Sequence, residues 1–171
     1  MLLGDDVKPG EPAERWLAEH SNLRPTCASG AKFLDADFKN SDRIYEVKSS
    51  VRVNGIKIDK KHVNVLLQRA KKLDLEPVFI FLNRQGSATA LVPYSIFAMA
   101  AAEEPQNWMR LMYDPIVVKG RGNTIFIPED ALREANLPVY GVIIFEDKEG
   151  KKWVASDAEL WLRLVGDHKY G

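Results

Sequence analysis

The chain of 171 residues has one cysteine, three histidines and no excess of either charge, with 24 Lys and Arg against 24 Asp and Glu. A lone Cys27 excludes an internal disulfide and a zinc site built on paired cysteines. No apolar run approaches the roughly 18 residues that a membrane span requires. The start, MLLGDDVKPGEPAER, has no basic segment leading into an apolar core. No secretory signal is therefore expected, and the protein reads as intracellular and cytoplasmic. What remains is a globular composition, 46% apolar and 28% charged, at a length that suits one compact domain or two small ones.

Zero net charge argues against a nucleic-acid partner only if the charge is evenly spread. It is not. From Arg43 to Lys72 nine basic residues stand against Glu46 and Asp59 alone. Such a run is either a solvated helix face or a surface for phosphates.

Hydrophobic spacing predicts an α/β protein with a mixed sheet. Pro12 opens a short amphipathic helix over 12–20, and SNLRPTCASGAK has the composition of a loop. Phe33–Phe38 and Arg43–Ser49 read as strands across a turn at 39–42, and Val51–Ile58 as a further extended stretch. Lys60–Asp74 carries Val63, Leu66, Leu67, Ala70 and Leu73 on one helical face. Pro77 begins an apolar strand. Ala88–Val92 and Tyr94–Ala102 follow as strand and helix. Pro115–Lys119 and Thr124–Ile127 look extended, Pro128–Ala135 helical, and Asn107–Met112 fits neither pattern. Val139–Phe145 and Lys152–Ala155 form a hairpin, and Asp157–Val165 a last helix.

The order of elements in 44–102 recurs in 116–165. α/β proteins repeat such an order without duplication, so a decayed copy is one reading of two. In a decayed copy Val117 takes the place of Glu46 and Lys119 that of Lys48, and no metal is held there. The division expected is a domain of residues 1–104 and an α/β extension of 105–171.

The residues that carry chemistry are Glu14, Asp37, Glu46 and Lys48. In RIYEVKS, strand alternation puts Ile44, Glu46 and Lys48 on one face and Tyr45 and Val47 on the other. A carboxylate and an ammonium on an otherwise apolar strand are costly unless they are paired or bind a metal. Asp37 can meet Glu46 across a hairpin. Two carboxylates with a main-chain carbonyl, that of Val47, make an oxygen site for Mg²⁺, with Mn²⁺ as its substitute. Glu14 can complete a second metal position. Glu-x-Lys by itself says little, since it also occurs at Glu146/Lys148 and Glu149/Lys151, in the turn FEDKEGKKW where solvated charges need no explanation.

Other polar and aromatic residues read more plainly. His20 continues the apolar face of the first helix and packs there, while His168 belongs to a frayed tail. Trp108, Trp153 and Trp161 fill core or interface. Cys27 has no base near it in sequence. The KGRGN segment offers a phosphate contact, but no Lys-Ser/Thr follows its glycines to make a P-loop.

The stretches GEPAERWLAEH, RPTCASG, DADF, YEVKSS and IDKKHVNVLLQRAKKLDLEPVFIF, in this order between Gly10 and Asn83, resemble the archaeal-type Holliday-junction resolvases of the PD-(D/E)xK nuclease superfamily. The resemblance covers under half the chain. It implies a restriction-endonuclease-like core, Glu14 as the helical glutamate, Asp37 and Glu46 as the metal pair, and Lys48 as the catalytic lysine. It also implies that Ser29, Gly30 and neighbouring Lys32 form the substrate loop, with Ser49 just after the motif. Two departures stand out: His62 replaces a usual Gln, and Asp35 competes with Asp37. With Arg52, Lys57, Lys60 and Lys61, His62 completes the expected DNA surface.

The function implied is a Mg²⁺-dependent, homodimeric endonuclease that resolves four-way DNA by paired symmetric nicks. The alternatives are another nuclease of the superfamily, acting on restriction sites, mismatches or flaps, and a catalytically silent DNA-binding protein of the same fold.

Overall fold

The computed structural model describes residues 11–25, 38–49, 55–83, 86–102, 116–119, 124–128, 142–147 and 149–169. In chain order these form α1 (Glu11–His20), β1 (Arg24–Pro25), β2 (Phe38–Lys39), β3 (Arg43–Ser49), β4 (Gly55–Asp59), α2 (Lys60–Leu73) and β5 (Glu76–Leu82). Then come β6 (Ala88–Pro93), α3 (Tyr94–Ala102), β7 (Ile116–Lys119), β8 (Thr124–Pro128), β9 (Ile143–Glu146), β10 (Lys152–Asp157) and α4 (Ala158–Val165). Asn107–Met112 and Pro128–Ala135 lie outside these residues, apart from Pro128, which ends β8.

Eight strands form one mixed, mostly antiparallel sheet in the order β1-β2-β3-β5-β6-β10-β9-β7. Only β3 with β5 and β7 with β9 run parallel. β4 and β8 pair separately as a two-stranded antiparallel ribbon. The loop expected at 21–32 is partly structured: Arg24 and Pro25 pair with Lys39 and Phe38 as a short edge strand. Pro25 is tolerated there because an edge strand need not donate on both sides.

Helices cover both faces. Ala13 and Leu17 of α1, Phe97 and Ala101 of α3, and Trp161 and Leu162 of α4 share a core with Tyr45, Val47, Val78, Ile80, Ala90, Val92 and Val154. Val63, Leu66 and Ala70 of α2 pack on the other face, against Ile44, Phe79, Phe81, Leu91, Ile143, Trp153 and Ala155. Strand alternation therefore decides which layer each residue joins. Trp161 is fully buried and stacks on Phe97 at 6.0 Å, its indole N–H donating to the Tyr45 hydroxyl at 3.2 Å. Trp153 meets Phe79 edge-on at 6.5 Å. Each such ring contributes about 1.5–3 kcal/mol through burial.

Local signals end the helices. The Asp59 carboxylate accepts from the Lys61 amide at 2.9 Å and caps α2. Asp74, expected inside that helix, lies just past it with φ +57°, and the Leu75 amide returns to the Ala70 carbonyl at 2.8 Å. Asp157 caps α4 by accepting from the Leu160 amide at 3.0 Å.

Burial raises the Asp157 carboxyl above its ordinary value of 3.8, against the lowering effect of the cap bond. A carboxyl whose folded value is raised favours the folded state at low pH, and this contribution is lost as pH rises through the folded value. Asp157→Asn keeps a capping oxygen without the charge. It is expected to match or exceed the parent in stability at neutral pH and to flatten the pH dependence just above 3.8. Thermal unfolding followed across that window checks this, and a large loss at neutral pH would refute it.

Three sequence expectations are corrected. His168 is no frayed residue: it is 6% exposed and forms a bridge with Ser21. Asp147, in the turn FEDKEGKKW, is not a solvated charge. It is buried, accepts from the amides of Glu149 and Lys151 at 3.0 and 2.8 Å, and receives the Trp153 indole N–H at 3.2 Å. The third concerns register. Glu46 pairs with Phe79, Phe79 with Leu91, Leu91 with Ala155, Ala155 with Ile143, and Ile143 with Ile116. Ile116, not Val117, therefore ends the row that starts at Glu46.

Candidate active site

β3 lies between β2 and β5, and its first residues belong to the core. Ile44, Tyr45 and Val47 are buried. On the α2 side of the sheet the strand then changes character. Glu46 and Lys48 sit opposite Phe79 and Phe81, which are 2% and 5% exposed. The Lys48 ammonium lies 3.7 Å from a Glu46 carboxylate oxygen, and the side chains are 43% and 24% exposed. An ion pair this open to water contributes about 1 kcal/mol or less.

Two further elements meet β3 on either side of this pair in the chain. Phe38 of β2 pairs with Tyr45, one residue before Glu46. Asp37 is next to Phe38 in the chain and lies outside the described residues, as do Ser29, Gly30, Lys32 and Arg52. On the opposite face, the Ala13 amide donates to the Ser49 hydroxyl at 3.2 Å. This satisfies one of the free amides in the first turn of α1. It also brings half-buried Glu14, the next residue, to the end of β3 that bears Lys48. Ser49 thus has a structural partner as well as its expected place beside the motif.

The cations expected to meet DNA divide into two kinds. Lys61 and His62 are exposed on the first turn of α2, and Lys71 and Lys72 on its last, all on the helix that covers the Glu46 side of the sheet. Lys57 is in β4, paired with Phe126. Lys60 differs: its ammonium is held by Glu149 and lies 3.6 Å from Asp147. That cation ties α2 to the β9–β10 turn.

A second ionic cluster has no local sequence signature. The buried Asp167 carboxylate receives Arg43 Nε at 2.8 Å, the Tyr45 hydroxyl at 2.6 Å and the Asn40 side-chain amide at 2.9 Å. Arg43 also donates to Glu76 at 3.0 Å and to the Val165 carbonyl at 3.0 Å. Burial opposes the Arg43 charge, but the bond and charge of Asp167 outweigh it and raise the guanidinium above its ordinary value. Burial, reinforced by Asp167, also holds the Tyr45 phenol well above its usual range. This cluster anchors the start of β3, just ahead of Glu46, to the chain's last helix.

His20 stacks on Trp16 at 4.2 Å, with its Nδ1 2.7 Å from the Trp16 carbonyl, which is a packing role. Among the described residues no three His, Cys, Asp or Glu side chains gather to hold a metal, and no helix is long and apolar enough to cross a membrane. No protein-family model, curated protein or solved structure matches the chain.

Proposed function

We propose that the protein is a metal-dependent endodeoxyribonuclease of the PD-(D/E)xK type that cleaves four-way DNA junctions. The observation that carries this reading is the Glu46–Lys48 pair, two charges 3.7 Å apart on a strand face otherwise given to the core. Sheet layers with helices on both faces are consistent with a restriction-endonuclease-like core. The bond from Ala13 to Ser49 sets the start of α1, with half-buried Glu14, at the same strand end on the opposite face of the sheet.

The donors present suit a hard cation. Glu46 offers a carboxylate oxygen, and Val47, whose side chain is buried on the opposite face, offers only its carbonyl. With Asp37 these are the groups that would hold Mg²⁺ or Mn²⁺, which polarises a phosphoryl oxygen and lowers the pKa of a bound water. Lys48 is the residue set to orient the attacking water or to stabilise charge on the phosphate. Lys61, His62, Lys71 and Lys72 position the DNA backbone from α2. Contacts of this kind favour recognition of shape over sequence and make binding salt-sensitive.

The test is a gel assay with labelled four-way junction, linear duplex and flap DNA, in Mg²⁺, Mn²⁺ or EDTA. Junction cleavage in either metal, with binding alone in EDTA, is the expected result. Preferential cutting of duplex or flap would keep the nuclease and replace the substrate. Binding without cutting in both metals would mark a silent DNA-binding fold, and neither binding nor cutting would overturn the proposal.

A further inference from the structure

The six strands β3-β5-β6-β10-β9-β7 have the same order from either end, with each half made of a parallel pair followed by an antiparallel partner. The join between the halves has the form a twofold axis imposes. In β6·β10, Thr89 pairs with Asp157 and Pro93 with Trp153, while Leu91 pairs with its own counterpart, Ala155. Thr89 corresponds to Trp153 and Pro93 to Asp157, the last residue before a helix in each half. The pairing is therefore isologous, like the interface of a symmetric dimer. The two-stranded ribbon likewise joins one strand from each half, β4 with β8.

Any antiparallel pair is locally twofold; what a chance resemblance does not require is that the pair at its centre, Leu91 and Ala155, stand the same two residues ahead of the strand end that leads into a helix in each half. The strand edge that one half would present to a second copy is already taken, since β6 pairs with β5 on one side and β10 on the other. The two halves are not chemically equivalent. Across the row from Glu46 to Ile116 the acid is replaced by isoleucine, and Val118 stands at the counterpart of Lys48. Neither aliphatic side chain can ligate a hard cation or donate to a phosphate.

We infer that the chain is an internal pseudo-dimer with one catalytic half and one inert half, and that it engages a junction as a single chain and nicks one strand per binding event. The inference rests on the nuclease reading above and narrows it. It replaces the homodimer with two symmetric centres by one centre and a degenerate partner within the same polypeptide.

The full-length protein is tested on a supercoiled plasmid that extrudes a cruciform. A single nick releases the supercoiling, the cruciform is reabsorbed and a second cut loses its substrate, so nicked circles should exceed linear product at least tenfold. Paired cuts made within one complex give linear DNA as the main product, which would overturn the inference and leave the nuclease reading intact. No product in Mg²⁺ or Mn²⁺ would overturn the nuclease reading, and the single-nick activity with it.

A second measurement does not depend on cutting. Sedimentation of the protein bound to a four-way junction in EDTA should give one chain of 19.3 kDa per junction. Two chains per junction would overturn the pseudo-dimer as the functional unit, whether or not the DNA is cleaved.

Discussion

Asp167→Ala is expected to lower the stability of the fold by about 3–5 kcal/mol, the range for removing one partner of a buried ion pair. The aspartate is 3% exposed and accepts from Arg43, Tyr45 and Asn40. Without it, the Arg43 side chain, 13% exposed, keeps the Glu76 carboxylate, while the Tyr45 hydroxyl loses its acceptor inside the core. For a domain of this size the loss corresponds to a fall of roughly 6–20 °C in Tm. Arg43→Met with Asp167→Leu should recover part of it, because two apolar groups leave no charge buried alone. Denaturant unfolding of the parent, the single and the double variant decides the matter. A single variant within about 1 kcal/mol of the parent would mean that the cluster is tolerated and not structural.

The second large effect is on chemistry. Lys48→Ala and Glu46→Gln are each expected to reduce junction cleavage by about 10²–10³-fold or more, the scale for removing a group aimed at charge in the transition state. Both side chains are partly exposed and the ion pair between them contributes about 1 kcal/mol or less, so the fall in cleavage should far exceed any shift in unfolding. Junction binding in EDTA should be preserved, because the exposed cations of α2 proposed to meet the phosphates are untouched. This combination separates a catalytic role from a structural one. Cleavage at the parent rate in both variants, with binding unchanged, would remove the pair from the chemistry and with it the main support for the nuclease.

The pair could be read from the sequence because its signal is local. A strand has a period of two, so RIYEVKS places Glu46 and Lys48 together and Tyr45 and Val47 opposite without knowledge of the rest of the chain. The limits of β3 and α3 follow the expected ones, and Asp59 and Asp157 mark helix starts in the usual way for a capping carboxylate. The end of α2 was one residue too long in that reading, since its last turn closes on a left-handed Asp74 where glycine is the commoner residue.

Asp147 and Asp167 show why the rest was not legible. In a window of ten residues each is an acid beside glycine and lysine, the composition of a solvated turn. Their partners come from elsewhere: Lys60 for Asp147, and Asn40, Arg43 and Tyr45 for Asp167, more than a hundred residues away. His168 was misplaced for the same reason, since its bridge partner, Ser21, is far away in the chain.

By itself, then, the sequence determined the α/β class, the faces of β3 and α2 and the acid–lysine pair, all consequences of periodicity. The tertiary structure decided what lies across the sheet from what. It closed β6 on β10, put Ile116 rather than Val117 in the row of Glu46, and gave Lys60 to the β9–β10 turn. A strand's own pattern is unchanged by the identity of its neighbour. Register between strands distant in the chain is set by the fit of two faces and by pairing of the backbone.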